Sequence, residues 1–180
     1  MARTASDEWD MTRKTTATQL ILDEFLPYIL NRAGHRTGQM FSQDLGEFGI
    51  VLSDWRIMIA LWQNENRRLI ELADITFNDL STLSRQVRAM ERSGLIARKR
   101  SRADGRALNL VLTPKGRTIT AKLIPIAQMY ENVATYGISE KETEIVRRCV
   151  TKIYKNLEAF GERRRNEHIT KRDARRVSVD

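Results

Sequence analysis

Apolar residues recur at helical spacing along most of the chain, and in one place they alternate instead. Leu20, Ile21, Phe25, Ile29 and Leu30 share one side of a helix that begins near Thr18. Pro27 either kinks that helix or marks its first part, and Gly34, Gly38, Gly46 and Gly49 blur its continuation towards Leu45. Trp55, Met58, Ile59 and Trp62 form the apolar side of a second helix, with Ser53 as its expected N-cap. A short helix covers RRLIELADI. Another runs from Asp79 to Ser93, and Gly94 follows it where a left-handed backbone costs little.

The period then changes to two. Residues 95–100 and 108–113 read as short strands, with the turn-forming pair Asp104-Gly105 between them. Thr113-Pro114 has the form of an N-cap followed by proline at the first helical position. A long helix follows through Ile119, Leu123, Ile126, Ala127 and Tyr130, with a bend expected at Pro125. Ser139 to Glu142 fits a capping box. Beyond it Val146, Val150, Ile153, Leu157 and Phe160 form a heptad-like stripe, a surface meant for another helix in the same fold or in a second subunit. The expected fold class is mainly α with a small β-hairpin. Three helices and a hairpin make a winged helix-turn-helix, and the long flanking helices are surplus to it.

Charge sharpens this picture. The 180 residues carry a net charge of +8. From Arg85 to Arg117 there are ten Lys or Arg and two acids, Glu91 and Asp104, so this span alone carries 10 − 2 = +8. Such concentration points to an anionic partner, most often nucleic acid. The run ERRRNEHITKRDARR reads as a solvated basic tail, and residues 1–14 as a disordered N-terminus. The lone Cys149 reads as a small buried residue of a reducing compartment. With no signal-peptide core and no apolar run long enough to span a membrane, the expected location is cytoplasmic.

On a helical wheel of residues 79–93, Leu80, Leu83, Val87 and Met90 fall on one face. Ser81, Arg85, Arg88 and Arg92 fall opposite, with Thr82 and Ser84 on the flanks. Small hydroxyls at a helix start allow close approach to phosphates or base edges, and free helix-terminal amides attract phosphate. Arginine can bond guanine bidentately or clamp phosphate, and the major groove admits one helix. The alternating LNLVL segment anchors the hairpin through every second side chain, so Arg102 and Arg106 ride on a narrow cationic tip suited to the minor groove. Asp104 either orients Arg106 through a bidentate pair or only shapes the turn.

The segment LSTLSRQVRAMERSGLIARKRSRADGRALNLVLTPKG resembles the recognition helix and wing of the MarR family of bacterial transcriptional regulators. The matching elements are S-T-L-S-R, S-G-L-I, the D-G-R of the wing and the closing L-T-P-K-G, and the helical layout agrees from about Leu20 to Phe160. The resemblance implies a homodimer that binds a palindromic operator, usually as a repressor released by a small ligand. It implies that Ser81, Thr82, Ser84 and Arg85 contact the major groove, and that Arg106 enters the minor groove held by Asp104. Residues 15–52 and 118–162 would then form a helical dimerisation layer, 53–117 the winged helix-turn-helix, and 163–180 a basic, disordered tail. The basic tail departs from the family pattern.

Family effectors often sit between the dimerisation layer and the winged helix. Candidates there are Tyr28, Arg32, His35, Arg36, Trp55 and Met58, a mixture suited to an aromatic carboxylate or an acyl-CoA thioester. Trp55 and Met58 also read as core residues, and His35 as a surface histidine. No cofactor is expected. With two histidines and one cysteine the chain shows no metal-ligand spacing, no glycine-rich phosphate loop and no nucleophilic triad, which argues against an enzyme. The rival reading is an architectural protein that binds nucleic acid without ligand control or sequence choice.

Overall fold

The computed structural model describes residues 20–76, 79–100 and 108–177, with side chains as far as Arg165 apart from that of Asp74. A single 3-10 turn, Leu22–Glu24, precedes α1, Leu26–Glu47. Then come α2 (Leu52–Gln63), α3 (Leu69–Thr76), α4 (Leu80–Arg92), β1 (Ile96–Arg100), β2 (Leu108–Leu112), α5 (Pro114–Ala134) and α6 (Glu140–Val177). The chain divides into two compact units, Met1–Tyr130 and Glu131–Asp180, and the division falls inside α5.

Several boundaries move from their sequence-based positions for local reasons. The first α-helix starts later than Thr18 because Phe25 is extended and Pro27 occupies the first turn, where its missing N–H leaves no hydrogen bond unmade. Pro27 therefore marks the start of α1. The glycines do not break the helix: α1 runs through Gly34, Gly38 and Gly46, and the left-handed Gly49, φ 67°, follows its end. Ser53 is not the N-cap of α2, because the helix begins one residue earlier, at Leu52, after an extended Val51 that offers no side-chain cap. The helix α5 continues through Pro125.

One core organises the first unit. Phe41 and Leu45 of α1, Ile57, Met58 and Leu61 of α2, Leu72 of α3, and Leu83, Val87 and Met90 of α4 are buried together with Ile96, Leu110, Leu112 and Leu123. Half of α1 thus belongs to the winged-helix core, and the compact unit does not end at 117 but reaches Tyr130. Phe41 meets the Trp55 ring edge-on at 5.5 Å and the Tyr130 ring at 5.6 Å. Tyr130 Oη donates to Asp44 Oδ2 at 2.5 Å, fastening α5 to α1.

The two strands pair antiparallel in the register Ile96↔Leu112 to Arg100↔Leu108. A bridge to Arg67, whose carbonyl accepts from Leu110 N–H at 2.8 Å, occupies the other edge of β2. The expected alternation of β2 does not hold: Asn109, Leu110, Val111 and Leu112 are buried in succession. Leu110 and Leu112 enter the main core, while Val111 is covered on the opposite face.

In the second unit the left-handed Gly137, φ 79°, turns the chain between α5 and α6. The capping box forms as expected. Glu142 Oε2 accepts from Ser139 N–H at 2.9 Å, and Ser139 Oγ accepts from Glu142 N–H at 3.3 Å. The ordinary helix formers Arg, Glu, Lys and Ala dominate the segment after Phe160 and no proline interrupts it, so α6 continues to Val177 where a disordered tail was expected. Cys149 is exposed on α6 and is not a core residue. Its helix lacks the all-round apolar neighbours that would bury it. No helix among the described residues is long and apolar enough to cross a membrane.

Candidate nucleic-acid interface

The start of α4 is built by Asp79. Its Oδ1 accepts from the backbone N–H of Ser81 at 3.0 Å and of Thr82 at 2.9 Å, and from Ser81 Oγ at 2.5 Å. These bonds favour the ionised form, so the Ser81 hydroxyl first, then the Thr82 amide, hold the Asp79 carboxyl well below the usual carboxylate range. The finding revises one expectation. Two helix-terminal amides that were to attract phosphate already serve a carboxylate of the chain itself. A serine-rich opening preceded by Asp was the signal for this cap.

Along α4, Leu83, Val87 and Met90 are buried, while Ser81, Arg85, Arg88 and Arg92 are exposed. Thr82 and Ser84 lie half-buried between the two faces. Leu80 does not dock as expected: as the first residue of the helix it is 48% exposed. Arg85 Nη2 approaches Thr82 Oγ1 at 3.4 Å. Among the described residues none of Arg85, Arg88 and Arg92 sits in an ion pair, whereas Arg98 of β1 is held by Glu91 at 3.1 Å. Exposed cationic groups outside any ion pair among the described residues therefore gather on the face that carries the hydroxyls. Lys99 and Arg100 extend exposed positive charge along β1. Arg102, Asp104 and Arg106 lie outside the described residues.

The far end of α4 is bound to α5. The Leu95 N–H returns to Met90 O at 3.0 Å around the left-handed Gly94, φ 69°, as a glycine-terminated helix should. Lys115 Nζ donates to Ser93 O at 2.9 Å, Thr113 Oγ1 to Gly94 O at 2.5 Å, and Thr113 N–H to Leu95 O at 3.1 Å. Thr113 Oγ1 also caps α5 by accepting from Gly116 N–H at 3.0 Å. The segment LTPKG thus carries one task per residue: Leu112 is core, Thr113 caps and clamps, Pro114 begins the helix, Lys115 clamps, and Gly116 lets the backbones touch.

Among the described residues the effector candidates are spread over several surroundings. Met58 is fully buried in the core and Trp55 packs against Phe41. Arg32 lies 3.8 Å from Asp23, and Arg36 reaches Gln39 at 3.4 Å. Tyr28 is half-buried near the start of α1. Of the six, His35 lines, among the described residues, an open hollow of about 640 Å³ between α1 and α2, with Asn31, Gln39, Ser42, Leu52 and Arg56. Gly34 and Gly38 lie in its wall, and Gly38 brings α1 close to the Leu52 side chain. Arg56 escaped the sequence reading because, as an exposed charge on the polar side of α2, it carries no periodic signal.

A helix with a hydroxyl and arginine face, seated by an apolar stripe between a preceding short helix and a two-stranded hairpin, has the architecture of a winged helix-turn-helix. Comparison with known proteins narrows the class. The family model described as transcriptional regulator SarA/Rot matches residues 39–123. The HTH-type transcriptional regulator TtmR of Methylorubrum extorquens is 28% identical over 102 residues, 57% of this chain, and the match spans about half of that relative, 52%. A MarR family transcriptional regulator from Silicibacter pomeroyi superposes with a TM-score of 0.70 at 26% identity, covering 76% of this chain and 91% of that one. The transcriptional repressor CouR bound to a 23-mer DNA duplex gives 0.65 at 25% identity, covering 76% and 99%. The chain thus shares the winged-helix fold of MarR family regulators and is similar in sequence to transcriptional regulators of the MarR and SarA/Rot types.

Proposed function

We propose that the chain is a ligand-responsive repressor that binds a palindromic operator as a homodimer. The observation that carries this reading is the face of α4 where Ser81, Arg85, Arg88 and Arg92 lie exposed opposite the buried stripe of Leu83, Val87 and Met90. In this reading Ser81, Thr82, Ser84, Arg85 and Arg88 meet the major groove, and Arg102 and Arg106 the minor groove, with Asp104 orienting Arg106. One helix makes few base contacts, so a rigid pair reaching half-sites roughly 34 Å apart gains both sets at once.

Apolar surface left uncovered on α6 supports the second copy. Ile145, Val146, Val150, Tyr154 and Leu157 are all more than a third exposed, at heptad-like spacing. The stretch from Leu20 to Ile29 likewise exposes Leu20, Ile21, Leu22, Phe25, Leu26 and Ile29. A second copy of this chain, rather than solvent, is the natural cover for such stripes.

The effector site is the hollow between α1 and α2. Arg56 and His35 can meet a carboxylate or phosphate, while Asn31, Gln39 and Ser42 supply neutral hydrogen bonds. That chemistry suits a small aromatic acid, or the anionic end of its CoA thioester. Binding there wedges α1 against α2, an element of the same core that seats α4.

Selection of random duplexes with the purified protein tests the DNA reading. Recovery of an inverted repeat with about a thousandfold preference over random DNA is expected. Equal retention of every polyanion would instead establish a non-specific architectural protein. Calorimetric titration with aromatic acids and their thioesters, repeated with Arg56→Ala, tests the effector site; the expected result is binding that Arg56→Ala abolishes, together with loss of operator affinity on binding.

A further inference from the structure

Gln86 of α4 and Asp54 of α2 are joined by a hydrogen bond across 32 residues of sequence: Gln86 Nε2 donates to Asp54 Oδ1 at 2.7 Å. Both side chains are half-buried, so water competes weakly for the bond. Gln86 is the immediate neighbour of Arg85 and borders the stripe of Leu83, Val87 and Met90.

The contacts that hold α4 differ in kind. Burial of Leu83, Val87 and Met90 keeps the helix on its domain, but apolar attraction is non-directional and tolerates rotation about the helix axis. The Asp79 cap is internal to the helix and constrains only its own first turn. The bonds from Lys115 and Thr113 fix the opposite end, beyond Arg92. The Gln86–Asp54 bond is directional, ties the middle of α4 to a different helix, and acts one residue from a side chain on the exposed face.

We infer that the Asp54–Gln86 bond sets the rotational register of α4, which makes Asp54 and Gln86 positioning residues for sequence discrimination that do not themselves read bases. Base-edge contacts demand a fixed azimuth of the arginine and hydroxyl face, whereas phosphate contacts by exposed cations tolerate a range of them. Loss of the bond therefore erodes preference for the operator and spares attraction to DNA in general. The inference rests on the reading of α4 as the helix that meets DNA.

The experiment compares Gln86→Leu, Asp54→Leu, Asp54→Asn and the double Leu variant with the unaltered chain. Affinity is measured at one salt concentration for the duplex recovered by selection and for random duplex of equal length. Each single Leu variant is expected to lower the ratio of the two affinities by about tenfold, within the range seen for coupled neighbours, with random-duplex affinity changed less than about twofold. The double variant is expected to be no worse than either single one. Asp54→Asn, whose amide oxygen still accepts from Gln86, is expected to keep the ratio within about threefold. Should Asp54→Leu fail to fold, Gln86→Leu decides the matter alone. A wild-type ratio in Gln86→Leu, or additive losses in the double variant, overturns the inference. Arg85→Ala separates the two levels: a lowered ratio there beside a wild-type ratio in Gln86→Leu sinks only the positioning role, whereas an unaffected Arg85→Ala sinks the reading of α4 itself.

Discussion

A Cβ placed on Gly116 would stand 2.0 Å from the carbonyl oxygen of Leu95. Backbone meets backbone there, and no flexible side chain can yield. Gly116→Ala must push the start of α5 away from the turn that follows α4, lengthening the bonds made by Thr113. The expected loss of stability is about 1–3 kcal/mol, as for overpacking elsewhere in protein cores, and urea denaturation measures it. DNA affinity should fall with it, because the same bonds hold the tail of α4.

Arg85 stands exposed in the first half of α4, next to Thr82. Arg85→Ala is expected to weaken binding to the selected duplex by about 1–3 kcal/mol and to relax discrimination at one base position. Arg88→Ala, further along the same face, should instead weaken binding to all duplexes alike and reduce the salt slope by about one ion. Fluorescence anisotropy across a salt series separates the two.

Carboxyl protonation in acid and phenol deprotonation in alkali should each destabilise the fold. The hydroxyl of Ser81 and amide of Thr82 depress Asp79, and Ser139 depresses Glu142. A depressed carboxyl contributes stability above its ordinary pKa, near 3.8 for Asp79 and 4.5 for Glu142, and that contribution is lost as pH falls towards the lower folded value. Tyr130 is raised above its ordinary 10.0 because its neutral phenol donates to the Asp44 carboxylate. Its contribution is present below that value and is lost as pH climbs through the higher folded one. Melting temperatures recorded from acid to alkali should decline on both limbs. Asp79→Asn and Tyr130→Phe should each flatten the limb that belongs to it, at the expense of stability near neutrality.

Val150 and Leu157 lie on the uncovered stripe of α6. Val150→Asp is expected to convert a dimer to a monomer in sedimentation velocity, since an unpaired charge within an apolar interface is strongly unfavourable. Operator binding should fall by far more than affinity for random duplex. A variant that remains dimeric would remove the stripe from the interface.

The element order was legible because helical and alternating periodicities are properties of local sequence. The hairpin strands and the cap at Thr113 fell within a residue or so of their expected places, fixed by Gly94 and Pro114. What local pattern could not carry was anything made by distant partners. Leu110 is paired on its second edge by Arg67, and Val111 is covered on the far face, so β2 loses the alternation its neighbours alone would dictate. The Asp54–Gln86 bond joins residues whose relation exists only after folding. Met58 and Trp55 read as core residues and as pocket walls alike, because an apolar helix face looks the same whether it lines a cavity or a core. Leu80 and Cys149 illustrate the converse, apolar residues that the fold leaves in the open.

The carbonyls of Ser93, Gly94 and Leu95 are all claimed by Lys115 and Thr113, so the tail of α4 and the head of α5 form a spliced corner without slack. A pinned joint passes movement on: a displacement of the first turn of α5 should reach the last turn of the arginine-bearing helix. An agent that tilts α5 need never touch the surface facing DNA to loosen its grip.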